Sequence, residues 1–182
     1  ALDAFTTGNN NTALGWGAGT AVTTGNSNVV LGYNAGYLMT TGQYNVAVGD
    51  LALAGTVTGQ HNVALGYYAG GQMTSGEDNI ALGRNALAYN TTANDNIAIG
   101  QYASHRTGQK RAATNTVAIG KYAGFYNQGN NNIAIGHYAG HGSSTNAYSP
   151  GDNNVAVGYS SLANFVSGSQ NVAVGRLTLH VN

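Results

Sequence analysis

The sequence predicts an all-β chain folded as a parallel β-solenoid, and three observations carry that prediction. A five-residue motif, clearest as Asn62-Val63-Ala64-Leu65-Gly66, recurs ten times. Its glycines (Gly15, Gly32, Gly49, Gly66, Gly83, Gly100, Gly120, Gly136, Gly158 and Gly175) advance by one constant step from Gly15 to Gly100 and by a less even one thereafter. Finally, 42% of the chain is hydrophobic and sits at fixed places in the repeat. A fixed period of this length marks stacked coils, each one repeat long. Residues 1–182 therefore read as a single β-solenoid repeat domain of about ten coils of about 17 residues. With strands roughly 4.8 Å apart, such a stack is a rod about 45 to 50 Å long.

Within the coil, the residue three before each motif glycine is always β-branched, from Thr12 to Val172, and the residue just before it is always Leu, Ile or Val. Between them stands Ala, except at Val30. Alternate residues of a strand face opposite ways, so the two large columns share one face and alanine takes the other. The large face is expected to line the core. The alanine face is expected to allow close contact with the opposite wall of the coil or with a neighbouring chain, and so to mark an oligomer axis. The motif glycine is expected to turn the chain with a positive φ or a close backbone approach. Three residues on, Ala18, Ala35, Ala52, Ala69, Ala86, Ala103, Ala123 and Ala139 recur, giving a second inward position. A second glycine, as in Thr40-Thr41-Gly42, precedes the motif asparagine and marks the other bend. Asn11, Asn28, Asn45, Asn62, Asn79, Asn96, Asn132, Asn154 and Asn171 form one column with Thr116 as its tenth member. Stacked amides can hydrogen-bond from coil to coil, and a structural ladder explains so faithful a repeat better than a recognition stripe does.

Composition narrows the function. Only 7% of residues are charged and the net charge is zero, which disfavours nucleic acid and anionic membrane surfaces as partners. There is no cysteine, hence no disulfide or thiolate metal site. No apolar run is long enough to enter a bilayer as a helix. Asp3-Ala4-Phe5 reads as the tail of an earlier coil and Leu177-Thr178-Leu179 has no polar cap after it, so the chain is expected to be a segment of a longer fibre.

The string Asn-Val-Ala-Ile/Leu-Gly-x-x-Ala resembles the head repeats of YadA-like trimeric autotransporter adhesins. It equally resembles the related repeats of tailed-phage tail fibres, where a Thr-Thr-Gly-x-x-Asn lead-in is common. The likeness covers nearly the whole chain. It implies a left-handed parallel β-roll with three chains around one axis, on a virion tail fibre or a bacterial outer surface. The coil length, greater than is usual in adhesin heads, and the lack of Ser after the motif asparagine favour the fibre version. The family supplies no catalytic residue to carry over.

Two coils carry extra length, and such insertions project from one face of a solenoid, often the binding face. The first holds His105, Arg106, Lys110 and Arg111; the second holds His141, Asn146, Tyr148 and the single proline, Pro150. These are the candidate binding residues. The basic cluster suits an anionic glycan or lipid phosphate, and Tyr148 can stack beside it. Tyr68, Tyr102, Tyr122 and Tyr138 share the second position after the motif glycine, while Trp16, Tyr33, Tyr67 and Tyr159 share the first. Alternation would put the two sets on opposite sides, as sugar-stacking surfaces or, more simply, as packing ladders. The histidines and carboxylates lack metal-ligand spacing, so neither metal nor cofactor is expected. Asp78 and Asp95, one coil apart, are a carboxylate pair of the kind a glycosidase needs, but their place before the motif asparagine is ordinary turn chemistry. The expected function is non-enzymatic: a structural and receptor-binding segment of a homotrimeric fibre, joined to adjoining fibre segments and attaching to a host-surface glycan or outer-membrane receptor. The competing classes are an adhesin head, an ice-binding solenoid suggested by Thr6-Thr7, Thr23-Thr24, Thr40-Thr41, Thr74 and Thr91-Thr92, and a polysaccharide-cleaving spike.

Overall fold

The computed structural model describes residues 7–105, 113–143, 151–165 and 167–179. Each motif copy forms one three-residue strand: β1 (Thr12–Leu14), β2 (Val29–Leu31), β3 (Val46–Val48), β4 (Val63–Leu65), β5 (Ile80–Leu82), β6 (Ile97–Ile99), β7 (Val117–Ile119), β8 (Ile133–Ile135), β9 (Val155–Val157) and β10 (Val172–Val174). They make one parallel sheet in sequence order, β1 to β10, with no helix among the described residues. Register is strict, so that Val63, Ala64 and Leu65 lie against Ile80, Ala81 and Leu82. Like residues therefore stack in columns along the rod.

Both ends of every strand are set by backbone geometry. The residue before the motif asparagine is left-handed, as at His61 (φ 57°), Asp78 (φ 56°) and Asn131 (φ 55°), and Asn and Asp tolerate that region better than most residues. The motif glycine ends the strand at strongly positive φ, for example 126° at Gly66. A Cβ on Gly66 would also stand 2.9 Å from the carbonyl carbon of Gly83 in the next coil. Positive φ and close approach thus both require glycine there. The glycine before the motif asparagine answers to close approach: Gly42 has ordinary φ, and its Cβ would lie 2.9 Å from the Gly59 carbonyl oxygen.

The core corrects one expectation. The alanine column, not the large face, points inward: Ala47, Ala64, Ala81 and Ala98 are buried, as is Val30. The Val, Ile and Leu columns point outward, and Leu65, Ile80, Ile99 and Ile135 are exposed. The reason is the width of the coil. Opposite the strand stands a wall of small residues, where a Cβ on Gly140 would come 3.0 Å from the Ala134 methyl and one on Gly36 would come 2.8 Å from Val30. Opposite that wall the inward strand position takes alanine, and only Val30, packed against Gly36, is larger. Volume comes from the second alanine column and from single larger residues (Val22, Met39, Leu53, Val57, Met73, Leu87) that fill the far bend. Alanine therefore marks the inside of the coil and says nothing of an oligomer axis.

Candidate functional site

The asparagine column is an internal hydrogen-bonded ladder. Asn62 donates through Nδ2 to Asn45 Oδ1 (3.1 Å) and to the Gly76 carbonyl (2.8 Å). Its own Oδ1 accepts from the backbone N–H (3.1 Å) and Nδ2 (3.0 Å) of Asn79. From Asn28 to Asn96 these amides are buried, out of reach of a partner. Thr116 interrupts the ladder. Its hydroxyl lies 2.6 Å from Asn96 Oδ1, but it has no amide to pass upward, and a cavity of about 10 Å³ lies beside it, lined by Ser104, Asn127 and Asn132 among others.

Of the candidate binding residues, Arg106, Lys110, Arg111, Asn146 and Tyr148 lie outside the described residues, whereas His105 and His141 are described. These two histidines belong to one column. The ring of Phe125 sits between them, 5.0 Å from His105 at 3° and 5.5 Å from His141 at 8°. Tyr89 and Tyr102 meet His105 edge-on at 4.9 and 5.1 Å, and Tyr126 meets His141 edge-on at 5.6 Å. Both insertions are thus rooted two coils apart on one aromatic stack, the uninterrupted coil of β7 supplying its central ring. Burial lowers the His105 pKa from 6.5 to about 4, and Nδ1 has no hydrogen-bond partner. His141 is lowered too, by burial, with a backbone hydrogen bond at Gly142 working the other way. Both rings are neutral near pH 7. The sequence held a signal for this stack, since all three residues stand five positions after a motif glycine.

The tyrosine columns form ladders. Tyr102, Tyr122 and Tyr138 stack face to face at 5.1 and 5.0 Å, and Trp16 stacks on Tyr33 at 5.1 Å. The two columns are not on opposite sides: His137 lies against Tyr138 at 4.4 Å and Tyr67 near Tyr68 at 6.3 Å. They follow the glycine into a turn, with Tyr68 at φ 55°, where strand alternation does not hold. A sugar ring stacks on an aromatic face, and rings above and below occupy both faces of Tyr122. Trp16 and Tyr33 remain exposed beside their mutual stack.

The remaining candidates separate. His61 Nδ1 lies 3.5 Å from Asp78 Oδ1 on the exposed margin, and no group of three or more potential metal ligands occurs among the described residues. Asp78 and Asp95 are both exposed turn residues at left-handed φ (56° and 58°). The threonine pairs divide by depth. Thr24, Thr41 and Thr92 are exposed, with Thr58 and Ser75 continuing their column. Thr23 and Thr74 are half-buried and donate to the carbonyls of Thr40 (3.3 Å) and Thr91 (3.0 Å). No protein-family model, curated protein or solved structure matches the chain.

What the sequence missed is an outward apolar sheet face that runs from β1 to β10. Three residues wide and ten strands tall, it covers roughly 480 Å² before its margins are counted.

Proposed function

We propose that the chain is a structural and receptor-binding segment of a trimeric fibre, a left-handed roll whose outward strand face packs against the same face of two further copies. The observation that carries this reading is the continuous Val/Ile/Leu face. Its repeat is the rise of the solenoid itself, so another copy of this chain matches it coil for coil along its length. With a margin column on each side, the face reaches about 800 Å² per chain, shared between contacts with two neighbours. The motif's resemblance to adhesin heads and tail-fibre repeats points the same way. The two insertions, bordered by His105 and His141 of the ring stack, are the proposed contact for a host-surface glycan or outer-membrane receptor.

Charge on the apolar face is the direct test. Val63→Glu with Leu65→Glu should leave the β-rich circular dichroism spectrum intact, because both side chains point outward, and should convert the oligomer to monomer by sedimentation. An unchanged mass would remove the face from the interface. Receptor contact is tested separately by shortening both insertions to the regular coil length. The trimer should persist, since loop length alters closure entropy only weakly, while binding to host cells falls sharply. Binding equal to the parent's would make the segment a spacer. The exposed hydroxyl column from Thr24 to Thr92 supports a second reading, an ice-binding face, for which thermal hysteresis is the readout.

A further inference from the structure

The apolar face has two unlike margins. Along the edge where the chain enters the strands lie the acids Glu77, Asp78, Asp95 and Asp152, all one or two positions before a motif asparagine. Along the edge where it leaves lie Arg84, Lys121 and Arg176, each directly after a motif glycine and each exposed. These cations are held in place by ring contacts: the Arg84 guanidinium is 5.6 Å from the Tyr102 centroid and the Lys121 ammonium 5.4 Å from that of Tyr122. Among the described residues, one acid stands on the exit margin, Asp50, and at its level the entry margin carries the phenol of Tyr44, a donor.

Resting on the trimer reading above, we infer that this charge segregation fixes how copies meet: the entry margin of one chain lies against the exit margin of the next, rods parallel and coils level. Three faces closed into a triangle bring unlike margins together at each corner, which is the head-to-tail contact a cyclic trimer requires. At the level of β5 this sets Asp78 against Arg84 of the next copy. Among the described residues, no level opposes like charges. An antiparallel pairing with full overlap would instead set like margins together, placing Asp78 opposite Asp95 of the other copy, and like charges so placed are repulsive. The apolar face alone favours association without choosing between these arrangements. The margins choose.

The chain has no cysteine, so introduced thiols report the contact cleanly. Asn131 and His137 flank β8 on opposite margins and are exposed. Within one chain the strand between them spans about 10 Å, beyond the Cα separation that a disulfide bridges. Oxidation of the full chain carrying Asn131→Cys and His137→Cys should give covalent dimers and trimers on a denaturing gel, and neither single variant should cross-link. An assembled oligomer of parent mass that forms no link in the double variant, or links in a single variant, overturns the pairing while leaving the trimer reading in place. A parent that sediments as a monomer overturns both. Charge reversal is the second measurement. Asp78→Arg should raise the dissociation constant for assembly at least tenfold, and adding Arg84→Asp on the same chain should restore it. Equal weakening by the single and paired reversals would contradict the inference.

Discussion

The coils of β1 to β5 and those of β6 to β9 share one backbone but are filled differently. In the first set every repeat has the same length, the far bend is filled by Val22, Met39, Val57 and Met73, and the asparagine ladder runs unbroken from Asn11 to Asn96. In the second set the same position holds Asn127 and Ser143 in two coils and Phe165 in a third, Thr116 breaks the ladder, and the repeat length varies. Buried Asn90, whose amide has no hydrogen-bond partner, stands at the border. Outside the second set, a buttress of rings built on His105, Phe125 and His141 covers the bend. A strict repeat is therefore not needed to hold the sheet. What both sets keep is the motif glycine and, with Val30 as the one exception, the strand alanine.

The comparison breaks most severely in the unbroken ladder. Asn62→Ala removes the acceptor for two donors of Asn79 and leaves the Gly76 carbonyl without its partner, all buried. At about 1–3 kcal/mol for each buried group left unsatisfied, the loss should reach several kcal/mol. Asn171→Ala, at the far end of the ladder, gives up one part-buried donor to Asn154 (2.9 Å) and should cost about 1 kcal/mol. Equal midpoint shifts in urea denaturation would mean that the ladder does not work cooperatively.

Acid should find the second set first. The folded-state pKa of His105 lies below its ordinary value, so the unfolded chain binds the proton more readily. Stability is full above pH 6.5 and is lost as the pH falls from 6.5 towards about 4. The expected loss is on the order of 1–3 kcal/mol, read as a falling midpoint temperature, and His105→Phe should abolish that part of the slope while keeping the stack. A pH profile unchanged by His105→Phe would assign the acid sensitivity elsewhere.

The ladder and the histidine stack also show what the sequence made legible. The coil period, the strand positions and the amide ladder all follow from columns that recur along the chain, because a stacked fold converts sequence period directly into neighbours. Which face of the strand turned inward did not follow. Alternation divides Ala64 from Val63 and Leu65 but cannot tell core from surface, and the usual preference for large residues inside failed because Gly70 and Ala69 leave the opposite wall too close. The aromatic columns depart from expectation for a related reason: strand alternation does not extend to Tyr67 and Tyr68, which lie in a turn. His105, Phe125 and His141 could have been aligned by counting from the motif glycine, even though two of them border insertions.

The smallest effect should come from repairing the second set to match the first. Thr116→Asn restores the missing amide beside the cavity at Ser104, Asn127 and Asn132, and should raise stability by about 1 kcal/mol, measured by urea denaturation. A loss of stability would show that the threonine and its surroundings are adapted to each other.

Sedimentation equilibrium of the unaltered protein at micromolar concentration tests the central claim, that the outward apolar face is an interface between copies. The expected result is one species containing three 18.5 kDa chains, stable to dilution and dissociated by charge at Val63 and Leu65. A stable, soluble monomer of 18.5 kDa would contradict it.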